Sequence, residues 1–215
     1  MTAIPPSLRT LVGNLDSTES RERFERRAFS RDEVGIGRAA VLVLLTSDAA
    51  PSVLLTERAA GLRHHGGQVS FPGGGIAPGE TAAQAALREV HEEVGLGEDQ
   101  ITLLGEFPPA LIQVSRFTVR TVVGCWTGLA ELTASPDEVA QVVVAPVADL
   151  ADPAARFTWR HPIGLTGPGF QVGALFVWGF TAFVLDAALA AGGWARPWED
   201  TVVRDVPARF LSDRR

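Results

Sequence analysis

Four glutamates, Glu80, Glu89, Glu92 and Glu93, fall within the segment GGIAPGETAAQAALREVHEEVGL at 74–96. At 100° per residue, Glu89 and Glu93 stand one turn apart on a helix, and Glu92 joins them at the i+3 position. Three acids on one helical edge repel one another by roughly 0.2–0.5 kcal/mol per pair. A bound divalent cation removes that repulsion. Hard cations such as Mg²⁺ or Mn²⁺ take oxygen ligands and fill their remaining positions with water and phosphate oxygens, so the edge suits metal-dependent phosphate hydrolysis. Taken alone, the acids also fit an ordinary solvated helix face.

The surrounding residues supply a helix to carry them. Thr81 and Gln84 form a capping-box pattern, and Gly95 is placed to end the helix in a left-handed turn, which sets its bounds near 82–94. Ala83, Leu87, Val90 and Val94 recur at i, i+4, i+7 and i+11 as an apolar stripe for packing on a sheet. On that reading the buried face and the acidic face are separate.

The spacing Gly74, Glu80, Arg88, Glu89, Val90, Glu92, Glu93, Gly95, Leu96 resembles the Nudix box at every fixed position. At ordinary residue frequencies, a chance match in a chain of this length is on the order of one in a million. The resemblance implies a Nudix hydrolase with an α/β fold, a mixed β-sheet sandwiched between helices. It implies further that Glu89, Glu93 and Glu92 hold Mg²⁺ or Mn²⁺, with a backbone carbonyl near Gly73 or Gly74 joining them. Arg88 is then the arginine that orients the acids, and Glu80 the one that stabilises the loop before the helix.

Upstream, LLTERAA at 54–60 is followed by Arg63, Gly67 and FPGG at 71–74. Arginines such as Arg58 and Arg63 read phosphate oxygens through charge-assisted, often bidentate bonds, although pairing with a surface acid is their simpler role. The glycines allow close backbone approach. The arrangement is similar to the additional signature of the coenzyme A pyrophosphatase branch of the family. The resemblance implies coenzyme A as substrate, cleaved to 4′-phosphopantetheine and 3′,5′-ADP, with Arg58, Arg63, Gly67 and Phe71 on the substrate side. A Nudix hydrolase for ADP-ribose, NADH or a nucleoside triphosphate is the alternative within the family. A non-catalytic nucleotide-binding regulatory module is the alternative outside enzymology, and retention of all the acids speaks against it.

Hydrolysis needs a carboxylate to accept the proton of the attacking water, and the candidates are Glu92 and Glu138, the latter opening an expected strand after SerProAsp. His64 and His65 lie inside the substrate-type segment, where contact with phosphate or adenine is one reading and a solvated loop position the simpler one. His91 occupies a variable position, and His161 has no partner legible in the sequence.

Composition narrows the alternatives. All nineteen basic residues are arginine, which removes Schiff-base, PLP and Walker-lysine chemistry. The net charge of −6 gives no support to nucleic-acid binding. The single cysteine, Cys125, excludes an internal disulfide and reads as a small buried hydrophobe. No leader pattern opens the chain, so a cytoplasmic location is expected. The uncharged stretch 162–185 is long enough to span a bilayer but is broken by glycine and proline, and reads as a buried strand running into a core helix. The partner expected is thus a small molecule, with neither nucleic acid nor membrane, and a homodimer is compatible with the sequence.

Two units are expected: an N-terminal extension at 1–35, with a charged surface helix near 19–27, packing on a Nudix domain at 36–215. Strands are expected at 38–46, 52–58, 101–107, 117–126, 138–144 and 170–178. Helices are expected at 147–150 and 179–191, and a loop over most of 59–75. Strands and helices mixed without regular alternation point to a mixed-sheet sandwich.

Overall fold

The computed structural model describes residues 3–27, 37–112 and 117–211. The proposed boundary at 35/36 lies outside the described residues. Five α-helices are described, α1 (Arg9–Asn14), α2 (Thr18–Arg27), α3 (Ala82–Val94), α4 (Val147–Leu150) and α5 (Gly179–Ala191). The larger sheet contains β1 (Gly37–Thr46), β2 (Ser52–Arg58), β3 (Val69–Ser70), β4 (Gly73–Gly75), β5 (Thr102–Ile112), β6 (Phe117–Trp126) and β7 (Val139–Pro146). Its main order is β3-β2-β1-β6-β5, with β4 also paired to β1 and β7 to β2. Among the described residues, β1 and β6 run parallel in this sheet and the other pairs are antiparallel.

Strand β1 is apolar on both faces because both are covered. Ala40, Leu42 and Leu44 face α3, where they meet Ala85, Ala86, Val90 and Val94 together with Leu54, Val122 and Trp126. The alternate residues Val43 and Leu45 join Val53, Leu55, Val123 and Cys125 against α1, α2 and α5. Period-two alternation thus sends one strand into two cores, as expected for a sheet sandwiched between helices. Burial of Val90 and of Val94 contributes about 1.5–3 kcal/mol each. Cys125 is buried, and burial raises its thiol pKa, which leaves it inert at neutral pH.

The N-terminal helices are part of this packing. Leu8, Leu11, Leu15 and Phe24 all belong to the main core, and Phe24 packs on Phe107 of β5 and Phe183 of α5. Asn14 Nδ2 donates to the Ala191 carbonyl at 2.9 Å, capping the end of α5. Asp186 on α5 pairs with both Arg23 of α2 and the buried Arg156, whose guanidinium lies between the rings of Phe170 and Trp198.

The C-terminal part departs from the sequence expectation. In place of one strand over 170–178 there is a hairpin, β9 (Thr166–Val172) and β10 (Leu175–Val177), reversing at Gly173 with φ +57°. A left-handed glycine between two apolar runs suits a two-residue turn, and the apolar continuity hid it. With β8 (Arg156–Arg160) and β11 (Val203–Asp205) these strands form a second sheet in the order β10-β9-β8-β11. Stretch 162–185 is therefore a hairpin leading into α5, and among the described residues no helix is long and apolar enough to cross a membrane. Similarly, 59–75 is not all loop: β3 and β4 dock onto β2 and β1.

Candidate active site

Helix α3 has the expected cap. Thr81 accepts from the Gln84 N–H, the Gln84 side chain accepts from the Thr81 N–H, and Gly95 closes the helix at φ +75°. Its faces are not divided as expected. Ala85, Ala86, Glu89, Val90, Glu93 and Val94 form the buried side, so two of the acids share the face that packs on the sheet. Glu89 is 9% exposed and Glu93 1%. For Glu89, what leaves room is the missing side chain of Gly74 on β4, whereas the missing side chain of Gly73 leaves room for β1. A Cβ at Gly74 would lie 2.3 Å from Glu89 Oε1, and one at Gly73 would lie 2.4 Å from the Ala40 carbonyl oxygen.

Glu138 reaches the same edge through backbone bonds rather than periodicity. The last carbonyls of a helix lack partners within it. Here the Glu93 carbonyl accepts from the Ser135 N–H at 2.9 Å and the Val94 carbonyl from the Thr133 N–H at 3.0 Å. Ser135 O in turn accepts from the Glu138 N–H, and Glu138 O accepts from the Ala59 N–H at 2.8 Å. The loop before β7 is thereby hooked to the end of α3 and the end of β2. Carboxylate oxygens of Glu89, Glu93 and Glu138 all lie within 4.8 Å of one another.

Electrostatics at this cluster are under tension. Burial pushes the Glu93 carboxyl up to about 8, against the opposing pull of Arg58 and a bond from the Gly73 N–H. Burial also raises Glu89, countered by its bond from Arg88. Glu93 Oε2 is buried with no hydrogen-bond partner among the described residues. An orphaned carboxylate oxygen, three converging acids and glycines that leave room beside them fit a hard divalent cation with oxygen ligands.

Arg88 organises the outer edge. Its guanidinium donates to Glu80 Oε1 at 3.0 Å, Glu89 Oε1 at 2.7 Å, Glu92 Oε2 at 3.0 Å and the Gly75 carbonyl at 3.0 Å. Glu80 also accepts from the Ala77 N–H, tying the loop 76–81 together. The bond from Arg88 holds the Glu80 carboxyl below its ordinary range, and the same pair raises Arg88. Glu92, with a side chain 52% exposed, points to Arg88 and stands outside the three-acid cluster.

On the substrate side, Arg58 at the end of β2 lies 3.6 Å from Glu93 Oε1. The loop after it closes at its neck, where the Arg58 N–H donates to Gln68 O and the Gly67 N–H to Arg58 O. Gly67 has φ +72°, a conformation that disfavours any side chain there. Arg63, His64 and His65 lie exposed toward the tip of this loop. Phe71 corrects the sequence reading: it is 2% exposed and belongs to the main core, so the aromatic of FPGG anchors the loop instead of meeting a ligand. His161 also has neighbours the sequence did not reveal, since it stacks on Trp178 and its Nδ1 accepts from the Ile163 N–H. The role of the Gly73 N–H in holding Glu93 was likewise illegible, because it depends on β4 meeting α3 in space.

The NUDIX domain family matches residues 36–163. A protein of Enterobacter sp. (strain 638) named uncharacterized Nudix hydrolase NudL is 36% identical over 187 residues, covering 83% of this chain and 95% of its own. A Klebsiella pneumoniae (strain 342) protein of the same name is 37% identical over 193 residues, covering 86% and 97%. The crystal structure of a NUDIX hydrolase from Alicyclobacillus acidocaldarius superposes with a TM-score of 0.50 at 20% identity, over 73% of this chain and 92% of that one. At that identity the likeness concerns the fold.

Proposed function

Since the chain belongs to the Nudix family of hydrolases acting on pyrophosphate bonds, we propose that its substrate is coenzyme A or a derivative, cleaved with Mg²⁺ or Mn²⁺. Water adds to one phosphorus of the pyrophosphate and the bridging oxygen leaves with the other, giving 4′-phosphopantetheine and 3′,5′-ADP. The observation that carries the metal chemistry is the convergence of Glu89, Glu93 and Glu138 within 4.8 Å around an unpartnered carboxylate oxygen. The substrate assignment rests on the segment 54–74 that feeds directly into this cluster. A cytoplasmic setting is part of the same reading.

Glu89 and Glu93 are the acids that hold the cation, with the backbone at Gly73 and Gly74 beside them. Once bound, the cation supplies polarisation of a phosphate oxygen and a more acidic attacking water. Glu138 is favoured over Glu92 as acceptor of the water's proton, because Glu138 lies in the cluster while Glu92 is engaged with Arg88 outside it. Arg88 positions Glu89 and the loop carbonyl of Gly75. Arg58, beside Glu93, and Arg63, on the neighbouring loop, are the groups to meet phosphate oxygens.

The test is a panel of coenzyme A, acyl-coenzyme A, ADP-ribose, NADH and dinucleoside polyphosphates with Mg²⁺ or Mn²⁺, and Glu93→Gln as control. Coenzyme A is expected to be the preferred substrate, and Glu93→Gln to be inactive. Turnover of ADP-ribose with coenzyme A untouched overturns the substrate, and full activity of Glu93→Gln overturns the metal site.

A further inference from the structure

The second sheet carries an aromatic row that the hydrolytic machinery does not use. Phe157, Trp159, Phe176, Val206 and Phe210 form a separate buried cluster, with Trp178 packed against it. Trp178 lies near-parallel to Phe210, at 19° and 6.5 Å between centroids, and to His161, at 18° and 6.0 Å. Trp159 meets Trp178 edge-on at 5.7 Å. His161 and Trp178 are only half-buried, so the end of the row is open. Trp159 is 4% exposed, and neither its Nε1 nor that of Trp178 has a hydrogen-bond partner among the described residues. Two buried indole donors without acceptors are costly unless a ligand or solvent oxygen or nitrogen meets them.

The row is fastened to the substrate side of the catalytic cluster. Gln68 Nε2 donates to the Phe210 carbonyl at 3.3 Å, and a Cβ at Gly67 would lie 3.7 Å from the Phe210 ring. Three residues after Trp178, Thr181 Oγ1 donates to Val69 O at 3.0 Å. Val69 pairs with Glu57, next to Arg58, so β3 alone, one strand spacing of about 5 Å, separates this anchor from β2. Half-buried aromatic rings, indole donors without partners and an arginine-bearing loop on the neighbouring strand suit a heterocyclic base whose phosphates extend toward Arg58.

We propose that His161 and Trp178 form the stacking platform for the adenine base of the substrate, making the second sheet the element that selects a nucleotide over a simple pyrophosphate. This assignment rests on the pyrophosphatase reading above. Trp178 and Phe210 lie beyond residue 163, after the end of the matched family segment.

Binding is measured by calorimetry on the full chain with Mg²⁺, using adenosine 3′,5′-bisphosphate and imidodiphosphate, which has no base. Trp178→Ala is expected to weaken the adenosine ligand about ten-fold or more and to leave imidodiphosphate unmoved. Trp178→Phe is expected to recover part of the loss. In turnover, the loss is expected in KM more than in kcat. Should Trp178→Ala fail to fold, His161→Ala decides, with a smaller loss confined to the adenosine ligand. Unchanged affinity for the adenosine ligand in folded variants overturns the platform, and so does equal weakening of both ligands. Base binding that depends on Trp178, in a protein that cleaves no coenzyme A, upholds the platform and overturns the substrate assignment.

Discussion

Replacing Gly74 by alanine tests whether this glycine exists to admit Glu89. Gly74 is not among the positive-φ residues, so alanine meets no backbone strain there; the effect is purely one of space. Its Cβ would stand 2.3 Å from Glu89 Oε1 and 2.5 Å from Cδ. To restore an ordinary contact the carboxylate must retreat by roughly 1 Å. Metal–ligand distances tolerate about 0.2 Å, and a misplacement of that retreat's size costs about 10²-fold in rate. The displaced group is the end of a side chain, so the fold itself should lose less than about 1 kcal/mol. Gly73→Ala is the contrast. Its Cβ would meet backbone, Ala40 O at 2.4 Å and Val41 Cα at 2.7 Å, within the β1–β4 pairing. That variant should lose about 1–3 kcal/mol of stability as well as activity. Thermal unfolding, Mn²⁺ calorimetry and kcat/KM on both variants separate the two. Native-like Mn²⁺ affinity and rate in Gly74→Ala, or a stability loss matching that of Gly73→Ala, would refute the reasoning.

Other outcomes follow from the charges around α3 and α5. The Glu93 carboxyl, raised to about 8 by burial, holds a proton that the unfolded chain loses near its ordinary value of 4.5. The metal-free protein should therefore lose stability as pH rises from 4.5 to 8, by at most about 1.4 kcal/mol per pH unit from this group, as read by denaturant titration. Over the same window Mn²⁺ affinity should rise with pH and level off above 8, with up to one proton released from Glu93, measurable by calorimetry in buffers of different ionisation enthalpy. Arg88→Lys keeps the charge but cannot reproduce a fork that reaches Glu80, Glu89, Glu92 and Gly75 O together; kcat/KM should fall about 10–100-fold, and a native rate would show that positioning is unimportant. Arg156→Ala removes one of the two cations on Asp186 and should cost about 3 kcal/mol in chemical denaturation while leaving Mn²⁺ affinity unchanged.

The parts of the fold legible in the sequence are those decided locally. Helix α3 is announced by its capping box and Gly95, and β6 by an apolar run with no competing signal. The strands β3, β4, β8 and β11 are two to five residues long and exist because a partner strand is present, which no local window contains. The acids of α3 are legible as an acidic helix edge but not as a buried one. Helical periodicity assigns acids to solvent, and for Glu89 the missing side chain of Gly74 on another strand reverses that. Phe71 illustrates the opposite error, since it lies inside a functional-looking motif and serves the core. The approach of Glu138 depends on backbone bonds from 133–135 to the end of α3, and the approach of Trp178 on a hydroxyl reaching β3; neither leaves a pattern in spacing.

The clasp between the N-terminal helices and α5 bears on how the chain folds as it is made. Asn14 meets Ala191 and Arg23 meets Asp186, separations of 177 and 163 residues. Helices α1 and α2 leave the ribosome well before α5, with Leu8, Leu11, Leu15 and Phe24 unable to find their places until α5 emerges. At synthesis rates of about 5–20 residues per second, that is a delay of roughly 10–30 s with an apolar surface uncovered. Pairing of β1 with β6, across some seventy intervening residues, adds a second long-range closure. The topology predisposes the protein to slow, late-closing folding, and helices synthesised long before α5 wait for it to be locked in place.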